Sequence, residues 1–484
     1  MIPAHADVVI VGGGSCGCVL AAILSDDPHR TVLVLEEGAS FDSLSAVPHE
    51  ILDAATLPVG PDSPWVTAFP GLLAPDVGAT VRRGRVLGGS GAVNGAYFVR
   101  ARPDDFAAWP GSWSYEQVLP YFRAIETDTD FADDAMHGHC GPIPVTRVPR
   151  ERAHPVTRAF VDASERAGFA PIEDLNAPGP DGVGAVPLNV RDGTRTSPLI
   201  AYLLPVLHRP NLTVAGRTGA TRLVVSGDRV VGVEVAGSDG PRTISAGQVI
   251  VSAGAVRSPQ LLMLSGIGPA GDLHRLGIDP LHDLPGVGRD FSDHPEFAVP
   301  YRFRSDVPPH TILLEAVLHT GELELRPYVT AFGSAIPGSG VADPVLGVVL
   351  TRSHSRGRIV LDERDPRREP VLDYRYLADP ADRTALDQGI RFAADLLASM
   401  SDVVEDGSVD VARGGLGTSL HLSGTCRMGD DDRAVVDERC RVRGIEGLSV
   451  VDTSVLPELP SRGPHATAVM LAHRIARSWE SAAL

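Results

Sequence analysis

Two histidines stand in sequence contexts that suit acid–base chemistry. His421 precedes a Gly-Thr-Cys turn, and His465 follows Gly-Pro in a loop just before a predicted helix. An imidazole titrates near neutral pH, so a positioned histidine can take a proton from a reacting hydroxyl group. The chain has 16 histidines, and most of the others are expected to be ordinary surface or loop residues.

A glycine-rich turn near the N-terminus is the second candidate for chemistry. A buried strand is predicted at residues 7–11, followed by the turn Gly12-Gly-Gly14-Ser-Cys-Gly17, a helix and a second apolar strand that ends at Glu36. This order is typical of a βαβ dinucleotide-binding unit. Gly12 permits the tight turn, Gly14 lets the backbone approach a pyrophosphate, and Gly17 lets helix and strand pack closely. Glu36 is positioned to accept from a ribose 2′-hydroxyl, which predicts FAD or NAD.

Composition excludes several other function classes. All 43 basic residues of the 484-residue chain are arginine, so a Schiff-base lysine, a Ser-Lys dyad and a P-loop lysine are ruled out. A net charge of −18 without a basic block argues against nucleic-acid or anionic-membrane partners. The hydrophobic content of 43% is typical of a globular enzyme. The length predicts about three domains.

The cysteines and the apolar segments bear on the compartment. The five cysteines, at positions 16, 18, 140, 426 and 440, are too scattered for a disulfide framework, so free thiols in a reducing compartment are expected. No apolar run reaches the roughly 18 residues of a transmembrane helix. The first predicted strand leaves no room for a signal peptide. The prediction is therefore a cytoplasmic protein with no transmembrane segment, with peripheral membrane association left open.

Helix and strand patterns must position these residues from distant parts of the chain. Residues 40–80 are rich in proline and glycine and are predicted to be loop. Strands are predicted around the turn at 226–228, at 248–252 and through 296–375. Helices are predicted at Tyr115–Glu126, Asp382–Met400 and Thr467–Ser478. The chemistry-bearing stretches lie at both ends and in the middle, which predicts two interleaved domains.

Six ordered stretches share their residue patterns with a known enzyme family. They are Gly84–Gly95 (GRVLGGSGAVNG), Ser252–Pro269, Leu284–Pro295, Ser355–Leu361 with Asp365-Pro366, His421–Gly429 and Val451–Thr467. Together with the N-terminal βαβ unit, they resemble the signatures of the glucose–methanol–choline (GMC) flavoenzymes. The matching patterns extend from residue 7 to about residue 476, so the resemblance covers nearly the whole chain.

The resemblance implies an α/β fold (α+β overall). In it, a Rossmann-like FAD-binding domain is interleaved with a smaller substrate domain built on an antiparallel sheet. Segments 1–155, 205–295 and 417–484 would form the FAD-binding domain. Segments 156–204 and 296–416 would form the substrate-binding domain.

The resemblance also implies a set of cofactor-binding residues. In some members a histidine just before the asparagine at position 94 carries a covalent bond to the flavin. Here that position is Val93, which predicts non-covalent FAD. The implied FAD-binding residues are Gly12, Gly14, Ser15, Gly17, Glu36, Arg85, Gly88, Gly89, Ser90, Asn94, Gly95, Ala220, Ala253, Gly254, Asp452, Thr453, Ala466 and Thr467.

The same resemblance places His421 and His465 at the flavin ring. Oxidation of an alcohol to a carbonyl removes the hydroxyl proton and moves the carbinol hydride to flavin N5. We expect His421 to take the proton and His465 to hydrogen-bond the same oxygen, with an exchange of the two roles left open. FAD would carry out the redox step, and the protein would supply geometry and electrostatics.

Three other candidates are less favoured. Asp293-His294 looks like a dyad, but the resemblance implies a structural role for this segment. Cys426 lies close to His421 in sequence, and proximity alone gives no reason for a reactive thiolate. No His/Cys/Asp cluster has metal-ligand spacing, which predicts that the protein holds no metal.

Alternative functions and the partners remain open at this level. A cyanohydrin-type lyase with a redox-silent flavin would use the same fold, and an NAD-dependent enzyme would share only the βαβ start. The substrate is expected to be a small-molecule alcohol or a small-peptide-cofactor alcohol. The second option arises because the short chain and the segment 462–470 resemble the mycofactocin-associated branch, in which reduced mycofactocin would be oxidised. The electron acceptor could be oxygen, a quinone or another carrier.

Overall fold

Nine α-helices are present among residues 2–236, 241–304 and 312–481, the parts of the chain that the computed structural model describes. Residues 237–240 of the predicted FAD-binding segments and residues 305–311 of the predicted substrate-binding segments lie outside the described residues. The helices are α1 (Ser15–Leu24), α2 (His49–Leu52), α3 (Tyr115–Ile125), α4 (Pro155–Arg166), α5 (Gly254–Leu264), α6 (Ala270–Arg275), α7 (Phe332–Ala335), α8 (Pro380–Ala398) and α9 (His465–Ser481). The helix predicted after the glycine turn is confirmed as α1, and the three helices predicted further along the chain are confirmed as α3, α8 and α9.

The same described ranges contain 24 strands, many of them short. The strands of the first half are β1 (His5–Val11), β2 (Val32–Leu35), β3 (Val66–Ala74), β4 (Val77–Gly84), β5 (Glu126–Asp128), β6 (Ile143–Val145), β7 (Pro171–Ile172), β8 (Gly182–Ala185), β9 (Val190–Arg191), β10 (Thr194–Arg195), β11 (Leu212–Ala215) and β12 (Ala220–Ser226). Those of the second half are β13 (Arg229–Val235), β14 (Arg242–Val251), β15 (Ile267–Gly268), β16 (His282–Asp283), β17 (Pro295–Pro300), β18 (Ala316–Thr320), β19 (Leu323–Pro327), β20 (Val345–Leu350), β21 (Arg358–Val360), β22 (Val371–Asp373), β23 (Gly415–Thr418) and β24 (Leu448–Val450).

A seven-stranded sheet carries the predicted dinucleotide-binding unit. Strands β11, β2, β1, β14 and β24 lie side by side and pair in parallel, and the antiparallel strands β13 and β12 extend the edge along β14. The parallel strands read as continuous apolar runs because both faces are covered. Helices α1 and α9 contribute buried residues to the same core. This is the Rossmann-like layer that the sequence predicts.

A second seven-stranded sheet is almost entirely antiparallel, as predicted. Its order is β23-β17-β20-β19-β18-β8-β7, and only β7 and β8 pair in parallel. Helices α4 and α8 bury apolar side chains against it, including Phe160 and Leu396. Helix α8 starts where the side chain of Asp379 accepts from the Ala381 N–H and Pro380 supplies the first helical residue.

A third, four-stranded sheet corrects one prediction. Residues 40–80 were expected to be loop, yet β3 and β4 form an antiparallel hairpin that covers residues 66–84. β3 also pairs in parallel with β22, whose residues lie about 300 positions later in the chain. The hairpin therefore depends on a distant partner that local proline and glycine content does not reveal. None of the helices in the described ranges is long and apolar enough to span a bilayer.

Candidate active site

One large cavity lies where the Rossmann-like sheet meets the antiparallel sheet. Its volume is about 940 Å³, near the upper end of the range of about 300–1,000 Å³ for ligand pockets. The residues at or just after the carboxyl ends of β1, β2, β14 and β24 line one side of it. This is the edge at which open parallel sheets bind their ligands. Residues of the antiparallel sheet, including Glu296 and Arg326, line the other side.

Most of the predicted site residues line this cavity. They are Gly12, Gly14, Ser15, Glu36, Arg85, Gly89, Ser90, Asn94, Gly95, Ala220, Ala253, Gly254, His421, Asp452, Thr453 and His465. Gly17, Gly88, Ala466 and Thr467 do not line it. Gly17 instead lets α1 pack against the glycine turn, and Gly88 has a positive φ of +95° in the loop at 84–95. Ala466 and Thr467 are fully buried in α9.

The glycine turn has the local geometry that its sequence predicts. Gly12 has φ +101°, and a Cβ on it would lie 2.5 Å from the Ser252 carbonyl oxygen. A Cβ on Gly17 would lie 2.0 Å from the Gly12 carbonyl oxygen, so no side chain fits between helix and turn. Gly14 is the N-cap of α1 without a side-chain cap. The first amide groups of α1 therefore remain available to an anionic ligand.

Two buried carboxylates hold the turn and the neighbouring helix in place. The Glu36 carboxylate accepts from the Gly13 N–H at 2.9 Å and the Gly38 N–H at 2.7 Å. The Asp452 carboxylate accepts from the Gly254 N–H at 2.9 Å and from the Ser258 hydroxyl at 2.6 Å. Burial raises the pKa of both groups. A carboxylate oxygen has two lone pairs, so Glu36 can still accept from a ribose hydroxyl.

These features fit FAD. The uncapped start of α1 and the side-chain-free Gly14 suit a pyrophosphate, and Glu36 lies at the end of β2, where a ribose hydroxyl is expected. Val93 is buried and lines the cavity at the position discussed for covalent attachment. A valine side chain has no nucleophilic atom, so it cannot attach a flavin.

His421 is held by the neighbouring Asp293-His294 segment. The backbone N–H of His421 donates to the Asp293 carboxylate at 2.8 Å. The two imidazoles meet with 2.9 Å between Nδ1 of His421 and Nδ1 of His294. Burial, and after it the charges of His294, Arg326 and Arg83, lower the pKa of His421 well below its usual value. The His421 ring is therefore neutral at neutral pH and can accept a proton.

The surroundings of His294 indicate which nitrogen of His421 is free. Burial lowers the pKa of His294 to about 3, whereas the backbone carbonyls of Pro460 and Thr351 favour a proton on its ring. Nε2 of His294 makes no well-aligned hydrogen bond, but a carbonyl oxygen can only accept, so these neighbours favour the Nε2–H tautomer. Nδ1 of His294 then accepts from Nδ1–H of His421. The Nε2 of His421 keeps its lone pair, and a Cβ on Gly463, a cavity residue, would lie 3.6 Å from it.

The hydrogen bonds of His465 favour the opposite tautomer to that of His421. The Asn94 side-chain oxygen accepts from the Ala96 N–H at 3.0 Å, which directs the Asn94 amide nitrogen to His465 Nδ1 at 3.1 Å. An amide nitrogen only donates, so His465 Nδ1 accepts and Nε2 carries the proton. The Ser15 hydroxyl lies 3.4 Å from that Nε2. Burial lowers the pKa of His465 to about 4.

Sequence reasoning missed a group of charged and aromatic residues at the antiparallel sheet. Glu324 and Arg326 lie at alternate positions of β19, and Tyr328 follows at the next alternate position. Arg326 is 5% exposed and Glu324 is fully buried. A period-two series of charged residues within an apolar strand signals a polar face. This alternation could be read from the sequence, but it does not reveal whether the polar face is exposed to solvent or lies against other parts of the chain.

Two of the three less favoured candidates, Cys426 and the potential metal ligands, lie outside the cavity lining, whereas His294 contacts His421. Cys426 is fully buried outside the cavity lining, and burial raises the pKa of its thiol. Glu126, Asp128 and His137 bring three potential metal-ligand atoms together. Their side chains hydrogen-bond to one another and to Arg100 and Arg147. This arrangement is that of a buried ion-pair network.

Comparisons with known proteins were made against family models, curated sequences and solved structures. Models described as GMC oxidoreductase match residues 6–296 and 353–472. An uncharacterized GMC-type oxidoreductase of Rhodococcus erythropolis is 47% identical, over 97% of each chain. A 5-(hydroxymethyl)furfural oxidase of Methylovorus sp. is 33% identical, over 97% of this chain and 98% of its own. The crystal structure of pyridoxine 4-oxidase from Mesorbium loti has a TM-score of 0.89 and 30% identity, over 98% of this chain and 99% of that chain.

Proposed function

Since the chain belongs to the GMC oxidoreductase family, we propose that it oxidises a CH–OH group to a carbonyl with His421 as the base. Enzymes of this family are FAD-dependent and act on alcohol-type substrates. The residues that hold FAD in this chain would be the glycine turn with Glu36 on one side and Asn94 on the other.

The observation that carries this proposal is that both histidines line one cavity with hydrogen-bond partners that favour complementary tautomers. His421 presents a lone pair at Nε2, whereas His465 presents a proton at Nε2, and both rings line one cavity. An alcohol oxygen between them would donate its proton to one ring and accept a hydrogen bond from the other. Such a pair holds the hydroxyl group in one orientation and stabilises the negative charge that develops as it loses its proton.

Each residue then has one defined task. Nε2 of His421 takes the hydroxyl proton, and Nδ1–H of His421 stays hydrogen-bonded to His294 while the ring gains charge. Nε2–H of His465 donates to the substrate oxygen, and Asn94 keeps this tautomer in place. When bound, FAD supplies the two-electron acceptor for the carbinol hydride. Both rings are only partly exposed, and the lower dielectric of this setting strengthens these interactions relative to bulk water.

For the substrate we propose only a chemical class, and the terminal electron acceptor is left to experiment. The curated and solved relatives include oxidases of 5-(hydroxymethyl)furfural and pyridoxine, which supports a small polar alcohol. The mycofactocin-linked role rests on the short length of the chain and on the segment 462–470, and reduction of the bound flavin by reduced mycofactocin tests it. Mixing the reduced protein with oxygen or with a quinone shows which acceptor reoxidises it.

The experiment that tests the proposal is anaerobic mixing of the purified yellow protein with a panel of alcohols. An alcohol oxidoreductase loses the visible absorption of its oxidised flavin as the carbonyl product appears. A cyanohydrin lyase, the alternative on this fold, would cleave mandelonitrile to benzaldehyde and hydrogen cyanide and leave the flavin oxidised. Cyanohydrin cleavage without flavin reduction by any alcohol would overturn the proposal.

A further inference from the structure

The antiparallel sheet places one unpartnered hydrogen-bond donor beside the substrate side of the cavity. Arg326 of β19 lines the cavity and is 5% exposed. Its Nε donates to Glu324, and its Nη1 donates to Ser419 at 3.0 Å and to Glu296 at 3.3 Å. Its Nη2 is buried and makes no hydrogen bond. A buried guanidinium nitrogen without a partner is costly, so a ligand that supplies an acceptor gains binding energy there.

The neighbouring carboxylates are already supplied with donors. Each oxygen of Glu296 accepts a hydrogen bond, one from Tyr328 at 2.8 Å and the other from Ser419 at 2.7 Å. Glu324 accepts from Tyr97 at 3.0 Å in addition to Arg326. These interactions fix the guanidinium plane, because its other nitrogens are held on both sides. The direction of the free N–H bonds on Nη2 is therefore set by the protein.

The charges of the group define the chemistry that it can recognise. Two carboxylates surround one guanidinium, so the positive charge of Arg326 is already compensated. A substrate carboxylate at Nη2 would meet the negative charges of Glu296 and Glu324, and a cationic group would meet the guanidinium. An uncharged oxygen acceptor has neither disadvantage.

The group also lies close to the reacting side chains. Ser419, which accepts from Arg326, is two residues before His421. The Arg326 charge is among the causes that lower the pKa of His421 and of His294. Arg326 and both histidines line the same cavity, so a substrate whose hydroxyl group lies between the histidines could direct a second oxygen towards the Arg326 guanidinium.

We propose that Nη2 of Arg326 forms a specificity subsite that binds an uncharged oxygen of the substrate, remote from the carbinol. The preferred substrates are alcohols that carry a second ether, carbonyl or hydroxyl oxygen at one fixed distance. This inference rests on the proposed alcohol oxidation. A hydrogen bond from a charged donor in this setting should raise kcat/KM by about 10- to 100-fold over an apolar isostere.

The test is an oxygen scan along heptanol with the FAD-loaded enzyme. Each analogue replaces one methylene of heptanol with an ether oxygen, and kcat/KM for flavin reduction is measured anaerobically. A single position of the oxygen is expected to raise kcat/KM by about 10- to 100-fold, because Nη2 is fixed in place. The analogues with a terminal carboxylate or trimethylammonium group should be poorer than heptanol itself.

Two arginine-to-lysine variants separate the subsite from other effects. Arg326→Lys keeps the charge opposite Glu324 and Glu296 but removes the planar fork, so the preferred position should disappear. The control is Arg302→Lys, at an exposed ion pair with Glu405, and it should keep the wild-type profile. If Arg326→Lys does not fold, the wild-type scan alone decides.

The possible results distinguish this inference from the proposed function. A flat or smoothly varying profile with active wild-type enzyme overturns the subsite but leaves alcohol oxidation intact, and it would mean that a water molecule satisfies Nη2. The same peak in Arg326→Lys also overturns it. If no analogue reduces the flavin, the same ratios are read as dissociation constants from the change in flavin absorption. A peak in binding would then support the subsite while the proposed reaction fails.

Discussion

Replacing His294 with leucine is expected to slow flavin reduction while FAD stays bound. His294 is not among the residues that line the cavity with the glycine turn and Asn94, but its Nδ1 lies 2.9 Å from Nδ1 of His421. Leucine removes the acceptor that holds the His421 proton on Nδ1. The ring then loses both its fixed tautomer and the hydrogen bond that stabilises the imidazolium formed during the reaction.

The size of this effect follows from the kind of hydrogen bond. As His421 takes up the proton, its bond to His294 becomes a hydrogen bond from a charged donor, worth about 1.5–3 kcal/mol. At about 1.4 kcal/mol per factor of ten, the rate should fall by about 10- to 150-fold. This is less than the loss of the base itself, which is about 10²–10⁴-fold.

Anaerobic stopped-flow measurement of flavin reduction against substrate concentration is the assay. The limiting rate should fall in His294→Leu with little change in the dissociation constant of the substrate. His294→Gln should recover part of the rate, since its side-chain oxygen can accept from His421. The control His208→Leu, at an exposed position, should behave as wild type. A wild-type limiting rate in His294→Leu would refute the proposed tautomer of His421.

Three further predictions concern the cofactor and the buried ion pairs. Because Val93 offers no nucleophile, acid precipitation should release FAD into the supernatant, and a yellow precipitate would contradict this. Gly14→Ala should fold but bind FAD weakly, since its Cβ would lie on the cavity side, 3.9 Å from the nearest protein atoms. Gly17→Ala should fail to fold, because its Cβ would lie 2.0 Å from the Gly12 carbonyl oxygen. Undiminished FAD content in Gly14→Ala would mean that the turn does not hold the pyrophosphate. Burial alone would lower the pKa of His137, but hydrogen bonds with three carboxylates raise it from 6.5 to about 10. The stability that the charge of His137 contributes is therefore complete below about pH 6.5 and is lost as the pH rises through about 10. The melting temperature should fall more between pH 7 and pH 10 in wild type than in His137→Asn, and equal falls would contradict the assignment.

Local sequence patterns were sufficient to predict the glycine turn and the two histidines of the site. The GxGxxG turn between two apolar strands is specified by residues within one short stretch, so its geometry could be predicted without knowledge of the rest of the fold. The family signatures around residues 84–95 and 421–429 then identified the asparagine and the histidine that lie in the cavity. What these patterns share is that neighbours in sequence are also neighbours in space.

The rest of the site depends on long-range strand pairing. His294 meets His421 because β17 and β23 pair antiparallel, with Pro295 opposite Thr418. The sequence places a structural segment at 293–294 but cannot supply this register. The Arg326 group likewise needs β17 and β19 to present one face on either side of β20, with Ser419 just past the end of β23. The hairpin at 66–84 was missed for the same reason, since β22 completes its sheet.

The most direct test of the account is a double-mutant cycle on His421 and His465, read as the anaerobic rate of flavin reduction at full FAD occupancy. His421→Ala should lose about 10²–10⁴-fold, and His465→Ala about 10²–10³-fold. Both rings act on one oxygen, so the double variant should be little slower than the slower single variant. His465→Asn, which keeps a donor, should be the mildest change. A wild-type rate in His421→Ala, or losses that simply multiply in the double variant, would contradict the claim that the two histidines work together on the substrate hydroxyl group.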